Sequence, residues 1–379
     1  MNNPVLTGAI LIEANGAALN AAGRDEDSGF DNATAVKQIR VGRLSYPYIS
    51  GQAWRRWWRE VLYEDFNWKP SPVTRAASSA YTEGQPISYE DDDVFGYMAA
   101  KKASKKDSAK KKDTTAKEKT DMASLDVLDE DDPLKEAGDE KGTQRRTSPL
   151  KNSLLISVRP LQITRDSAYF TRGLPVDTPN PVPYNTQHYT TCLQGVFTLG
   201  LNQVGRFECG PMRDLAINFS DEHAKEIQAA ESNLKPRVLG LDPAQKRKRV
   251  AQTLKALGQL RHGANLARNL SDVTPAVVLL GFLHGGNAPF QNLFTPAEDD
   301  RVELHWERLE SVVRDYKDRL LGEDKLYFGY RPGVLANEAD ILKKLKNGVE
   351  GVEVFIGTPR EAIEEAAKVV ENQTDSPIQ

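Results

Sequence analysis

The chain has 379 residues, of which 39% are hydrophobic and 27% charged, and its formal net charge is −4. This balance is typical of a water-soluble protein of about two or three domains, and no stretch approaches the roughly 18 consecutive apolar residues of a membrane span. The N-terminal residues do not resemble a signal peptide, and only two cysteines occur. We therefore expect a cytoplasmic protein without membrane contact, disulfide framework or zinc site.

The net charge conceals a strongly uneven distribution. Residues 101–120 sum to +6 and 121–140 to −8, whereas 141–296 sum to +9 and 297–379 to −7. Binding of a polyanion depends on the local potential of one face rather than on the total charge. The acidic total therefore does not exclude a nucleic-acid binder.

The first hundred residues predict a buried strand, an extended segment and a helix. Residues 4–14 are rich in Val, Leu and Ile, as in a fully buried strand, and 35–49 alternate basic, apolar and aromatic positions. Ser50 is a predicted N-cap for a helix over 51–66. Trp54 and Trp58 should lie on its core side, with the arginines on the opposite, solvent-facing side.

The middle of the chain contains a low-complexity segment and a predicted protrusion. Residues 101–147, Lys-rich and then acidic, have little to bury and predict a disordered insertion. Strands are predicted at 150–160 and 189–207. The Pro-, Arg- and aromatic-rich segment between them predicts a protruding hairpin or loop.

The remaining pattern completes an α+β chain. A helix over 243–262 precedes an apolar strand at 276–283, and an α/β extension over 297–379 ends in a helix opened by a capping box at Thr358. Without the insertions, the order is strand, helix, two strands, helix, strand. This order is that of a ferredoxin-like or RNA-recognition fold, although other α+β folds can be cut to match it.

The strongest functional signal is the segment from Ala35 to Arg59. It has no Asp or Glu, and basic residues are interleaved with tyrosines and tryptophans. The basic residues are Lys37, Arg40, Arg43, Arg55, Arg56 and Arg59. Cations beside aromatic rings suit phosphates and stacked bases of single-stranded nucleic acid, whereas the alternative is a solvated face backed by a Trp-rich core.

A second basic element occurs at 261–272. Arg261, His262, Asn265 and Arg268 would lie close together if the preceding helix continued or broke at Gly263. The alternative is an ordinary helix end with arginines near the C-terminal dipole.

Catalytic constellations are largely missing from the sequence. No metal-binding histidine spacing, nucleophile elbow or phosphate loop occurs. Asp25, Glu26, Asp27 and Asp31 follow the first strand and could hold Mg²⁺ for phosphodiester cleavage, but a solvated acidic loop is the commoner arrangement. We expect no catalysis, no cofactor and no metal.

Several blocks of the sequence resemble one known family. The loop GRDEDSGFDNATAVKQIRVG, the motif YPYISGQAWRRWWRE followed by DDVFGYM, and the later LRHGANLARNLSDVTPAVVLLGFL are similar to backbone subunits of type I CRISPR Cascade complexes. Within this RAMP superfamily, the DevR-type branch of subtype I-B is the most similar. The resemblance covers roughly 1–100 and 150–295.

The resemblance implies an architecture and a set of partners. An RNA-recognition-like palm would comprise 1–100 and 148–296, with a thumb at about 161–190 and finger-like insertions. Copies would stack along a CRISPR RNA, contact other Cascade subunits and leave bases open for a target DNA strand, in antiviral defence or guided DNA targeting. The rivals are a type III-like subunit that cleaves target RNA through Asp25 or Asp27, and a stand-alone RNA-binding protein.

The resemblance also implies site residues. The RNA-backbone region matches Lys37, Arg40, Ser50, Gly51, Gln52, Arg55 and Arg59, and the second basic element matches Arg261 and Arg268. The thumb would carry Arg165, Tyr169, Phe170 and Arg172.

Overall fold

The computed structural model describes residues 3–24, 33–76, 79–99, 144–170, 182–209, 214, 228–229, 237–299 and 301–373. The strands up to residue 170 are β1 (Pro4–Ala17), β2 (Ala21–Arg24), β3 (Ala33–Val36), β4 (Gln38–Val41), β5 (Leu44–Ile49), β6 (Val73–Ala76), β7 (Ser79–Thr82), β8 (Tyr97–Ala99), β9 (Gln144–Arg146), β10 (Leu150–Asn152), β11 (Leu155–Ser157) and β12 (Thr164–Phe170). The later strands are β13 (Val182–Gly200), β14 (Arg206–Cys209), β15 (Gln228–Ala229), β16 (Arg237–Gly240), β17 (Val277–His284), β18 (Phe294–Pro296), β19 (Val302–Leu304), β20 (Leu320–Tyr330) and β21 (Glu353–Gly357).

The helices are α1 (Gly51–Phe66), α2 (Glu90–Phe95), α3 (Pro243–Leu257), α4 (Trp306–Tyr316), α5 (Glu338–Leu345) and α6 (Pro359–Glu371). A 3-10 turn covers Lys317–Arg319. In the described part of the chain, no helix has both the length and the apolar character needed to cross a bilayer.

One large mixed sheet organises the molecule, which confirms the α+β class. Its strand order is β21-β20-β17-β1-β13-β11-β5-β4, and neighbours run antiparallel except β20 and β21. The long strand β13 also pairs with β10 and, in its first half, with β12. That first half and β12 form the hairpin predicted between residues 161 and 190.

The central strand is β1, which lies between β13 and β17. Because both of its faces are covered, it is apolar almost throughout and not alternating. Leu6, Ile10 and Ile12 pack with the helices α1, α3 and α6, whereas Ala9 and Leu11 pack with α4 and α5 on the other face. The sheet is therefore sandwiched between two layers of helices.

Helix α1 begins and ends where the sequence predicts. The Ser50 side chain accepts a hydrogen bond from the Ala53 N–H, and Asn67 ends the helix in the left-handed region. Trp54 and Trp58 are fully buried and stacked, with ring centroids 5.6 Å apart. The indole of Trp58 also donates to the Thr253 carbonyl at 2.7 Å, which joins α1 to α3.

Other boundaries differ from prediction. Helix α3 ends at Leu257 rather than at 262, and the extended segment 35–49 is resolved into β3 and the β4–β5 hairpin. The capping box at Thr358 is confirmed, and α6 packs on α3 while β20 pairs with β17. The segment after 297 thus extends the same sheet, and its separation as a unit stays a prediction. Of the predicted disordered insertion, residues 101–143 lie outside the described residues, and its last part is corrected: β9 covers Gln144–Arg146, with Arg146 buried.

A buried carboxylate connects four distant segments. Asp93 of α2 is fully buried, and its side chain accepts hydrogen bonds from Arg146 of β9, from Arg249 of α3 at 2.7 Å and from the Gly205 N–H at 2.9 Å. The two guanidinium groups also donate to backbone carbonyls, including those of Gln203 and Ile87. A buried charge is tolerated only with such partners.

Removing the Asp93 carboxylate should therefore destabilise the fold. We expect Asp93→Ala to lower the free energy of unfolding by about 3–5 kcal/mol, because the buried Arg249 loses its counter-charge and the buried Arg146 keeps only that of Asp214. Urea denaturation measures the effect. Asp340→Ala is the matched control, since Asp340 forms an exposed ion pair with Lys344 and its loss should leave the midpoint unchanged. Equal midpoints for both variants would contradict the role given to Asp93.

Candidate nucleic-acid interface

Three β-ribbons enclose a groove of 1240 Å³ that we call the arginine groove. Its charged lining residues are Arg24 of β2, Arg40 and Arg43 of the β4–β5 hairpin, and Arg165 of β12. All four are exposed, and none of the described residues that line the groove is Asp or Glu. A concave surface lined by four cations has the electrostatics that phosphates require.

The β4–β5 hairpin explains why these residues converge. Its register pairs Arg40 with Ser45, and Gly42 with φ of 60° begins the two-residue turn that places Arg43 at the tip. Polar residues between the arginines, such as Gln38 and Ser45, also line the groove. Lys37 lies outside this lining, half-buried at the base of the hairpin.

A second groove, of 670 Å³, begins at the N-terminus of α1, and we call it the helix groove. Its polar and charged lining comprises Ser50, Gln52, Arg55, Arg59, Ser148, Lys151 and Asn152. Gly51 also lines it, and a Cβ there would lie 3.2 Å from the Asn152 side chain. As in the arginine groove, no acidic side chain lines it in the part of the chain that the structure describes.

Arg55 corrects the prediction of a uniformly exposed basic face on α1. Its guanidinium is buried and donates to the carbonyls of Leu150 and Phe95 at 2.6 and 2.8 Å, and to the Asn152 and Ser148 side chains at 2.9 Å. Burial, assisted by the charge of Arg59, lowers the pKa of Arg55 to about 10. Arg55 therefore holds the helix groove together, and only its edge reaches the lining.

The neighbouring arginines differ from one another. Arg59 is half-buried, its guanidinium lies 4.2 Å from the Phe95 ring centroid, and burial lowers its pKa. Arg56 is 78% exposed and lies 3.1 Å from Glu60. Of the predicted basic face, Arg59 and the exposed Gln52 are presented to the helix groove, and Arg56 is not among its lining residues.

The second basic element is also corrected. Arg261 is held by the carboxylates of Glu64 and Asp65 at 2.6–3.0 Å, and these hydrogen bonds raise its pKa above the ordinary value. His262 lies 3.3 Å from the same Glu64 carboxylate. These contacts neutralise the first half of the element, so it does not form the compact cation cluster that the sequence predicts.

The rest of this element faces the β12–β13 ribbon. The Asn265 side chain donates to the Ala18 carbonyl at 3.2 Å, and Arg268 donates to Asn265 at 3.2 Å. The Arg268 guanidinium lies 5.9 Å from the Tyr184 ring centroid. Arg268 is thus the member of the second basic element that lies nearest the predicted thumb.

The predicted thumb is described in part. Tyr169 is 63% exposed on β12, whereas the Phe170 side chain and Arg172 lie outside the described residues. The acidic loop from Asp25 to Asp31 lies outside them as well. Among the side chains that the structure describes, no group of three or more His, Cys, Asp or Glu is arranged to hold a metal ion.

The sequence analysis did not identify two of the basic residues that line the grooves. Arg24 was not separated from the polar loop in which it stands, and Lys151 was treated only as part of a strand. No local pattern marks either residue. Their role depends on pairings with β3 and β13, which bring distant segments of the chain beside the arginines.

Loss of the Arg55 guanidinium should reduce stability before it affects binding. Arg55→Ala removes four hydrogen bonds and leaves the Phe95 carbonyl without its side-chain donor, so we expect a loss of about 3 kcal/mol in the free energy of unfolding. Arg56→Ala, at the adjacent exposed position, is the control and should leave stability unchanged. Thermal unfolding followed by circular dichroism distinguishes them, and an unchanged Arg55→Ala midpoint would contradict the buried role.

Charge reversal in the arginine groove should weaken RNA binding without reducing the stability of the fold. Arg40→Glu with Arg43→Glu changes exposed side chains, so the melting temperature should be preserved. Affinity for single-stranded RNA should fall, and the slope of log affinity against log salt should flatten by about 1 for each phosphate that the protein no longer neutralises. Arg360→Glu, on the outer face of α6, is the control. An unchanged affinity and slope in the double variant would exclude this groove.

Comparison with known proteins agrees with the resemblance seen in the sequence. A chain of a "CRISPR RNA-guided surveillance complex, pre-nicking" has a TM-score of 0.51 at 11% identity, covering 97% of this chain and 100% of that chain. A chain of a "CRISPR RNA-guided surveillance complex" has a TM-score of 0.49 at 11% identity, with coverage of 96% and 98%. At this identity the first comparison shows a shared fold and nothing further. The TM-score of the second comparison is below 0.5.

A search of curated protein sequences finds no significant match. A family model, by contrast, covers most of the chain: that of the CRISPR-associated negative auto-regulator DevR/Csa2 matches residues 9–304. The chain therefore belongs to the DevR/Csa2 family of CRISPR-associated proteins.

Proposed function

We propose that the protein is a CRISPR RNA-binding backbone subunit of a type I-B Cascade-type complex. The observation that carries the proposal is the arginine groove, where four exposed arginines from three ribbons line one concave surface. Family membership and the fold shared with a chain of an RNA-guided surveillance complex support the same assignment.

The strand order supports an RNA-recognition-like palm. The four strands β17, β1, β13 and β11 are adjacent in that order and antiparallel, and α1 and α3 pack on the same face of the sheet. In chain order these elements read β1-α1-β11-β13-α3-β17, the arrangement of a ferredoxin-like unit. The β12–β13 ribbon then corresponds to the thumb and contributes Arg165 to the arginine groove.

Recognition of the RNA backbone explains why the proposed subunit accepts guide RNAs of any sequence. Arginines and a lysine contact phosphates, which carry no sequence information, so any guide is accepted and specificity is left to base pairing. Strand β5 connects the two grooves, because Ser45 lines the arginine groove and Ser50 the helix groove. At about 3.3 Å per residue these positions are roughly 16 Å apart, within reach of one short stretch of RNA.

The proposed partners follow from this role. Copies of the subunit would stack along the CRISPR RNA in the cytoplasm, beside other Cascade subunits, with the bases presented to a target DNA strand. The number of copies would then be set by RNA length, because each copy makes the same backbone contacts.

We therefore expect stoichiometry to follow the RNA. On guide RNAs of increasing length, native mass spectrometry should find copy number rising in proportion to length, with equal affinity for unrelated sequences of one length. If each copy neutralises ~4 phosphates, log affinity should fall with log salt at a slope of about −3 per copy. One copy on every RNA would instead indicate a stand-alone RNA-binding protein.

The rival role in RNA cleavage is tested separately. The proposed subunit is non-catalytic, so assembled complex incubated with target RNA and Mg²⁺ should leave that RNA intact. Regularly spaced cuts that disappear in Asp27→Ala would replace the proposal with a metal-dependent nuclease.

A further inference from the structure

A small pocket adjoins the helix groove and has a different chemical character. It occupies 210 Å³ on the face of the sheet opposite α1, between β11, β13 and the segment 290–294. Leu154 lines both this pocket and the helix groove, so the two share a rim. We call it the amide pocket, because its polar lining consists of Gln194, Gln291, Asn292 and Ser153.

The walls of the amide pocket are apolar and aromatic. Phe290 and Phe294 line the cavity although both residues are buried from solvent, and Ile156 and Val196 also line it. Its lining, as far as the structure describes the chain, includes no charged side chain. Apolar walls with a few polar groups are typical of sites for neutral organic ligands, and the volume is below the ~300 Å³ at which drug-sized ligand pockets begin. The pocket therefore suits one small, uncharged ring system.

The neighbouring cations indicate where such a ring would come from. Arg59 and Lys151 line the helix groove on the other side of Leu154 and suit an anionic phosphate. A ligand that joins a phosphate to a flat ring with polar edges is a nucleotide. We propose that the amide pocket receives one nucleobase of the strand whose phosphates occupy the helix groove, an inference that rests on the proposed RNA-binding function.

The amide side chains allow the pocket to contact a base without preferring one type of base. Each glutamine or asparagine amide offers both a donor and an acceptor, so every base edge finds a partner. Gln291 and Asn292 are exposed, and Gln194 donates weakly to the Phe294 carbonyl at 3.3 Å. The pocket thus holds a base by its shape and its amide hydrogen bonds without selecting one base.

The test combines a change in the RNA with a change in the pocket. The probe is the shortest oligouridylate that binds one copy of the full chain, with a single abasic nucleotide moved along it. The wild-type protein should lose roughly tenfold in affinity when the abasic nucleotide occupies one particular position, and little elsewhere. Gln291→Trp, which fills the pocket from an exposed position, should bind intact and abasic RNA equally.

The controls separate the possible outcomes. Asn347→Trp adds the same ring at an exposed position outside both grooves and should keep the wild-type response to the abasic nucleotide. If Gln291→Trp also keeps that response, or if no position is sensitive, the pocket does not hold a base. If Gln291→Trp impairs only the assembly of several copies on long RNA, the pocket receives protein, which overturns the proposal. Failure of the wild-type chain to bind any oligouridylate would instead overturn the proposed function.

Discussion

The ion cluster around Asp93 is the interaction on which the helix groove depends. The carboxylate fixes α2 against β9 and α3. Because α2 is fixed, Phe95 at its end supplies a carbonyl to Arg55 and a ring to Arg59. The fully buried carboxylate of Asp93 therefore determines the position of the basic side chains at the start of α1.

Two groups of arginines in this chain differ in their acceptors. Arg55, Arg146 and Arg249 are buried and donate mainly to backbone carbonyls or to Asp93, so their charge serves the fold. Arg40 and Arg43 are exposed on a hairpin and line a groove whose described lining contains no acidic residue. Only the second group offers its donors to an external anion, which is why basic residues that are equivalent in sequence are not equivalent in function.

Local patterns in the sequence predicted the elements well and the site in part. Helix α1 was predicted to its last residue because two of its signals are local: a serine cap and a Trp-rich face. The exposure of Arg55 was predicted wrongly because periodicity identifies a helix face but not the carbonyl of Leu150, which is 95 residues away. The partners of Arg261 were missed for the same reason, since Glu64 and Asp65 are nearly 200 residues distant. Arg24 and Lys151 join the grooves only through strand pairing.

Photocrosslinking measures most directly whether RNA lies in the arginine groove. The complex would be assembled on RNA containing 4-thiouridine, irradiated and digested, and the crosslinked peptides identified by mass spectrometry. We predict crosslinks in peptides from β4–β5 and from residues 160–165, which line the groove. Crosslinks confined to the acidic segment after residue 297, with none on the β4–β5 hairpin, would contradict this placement of the RNA.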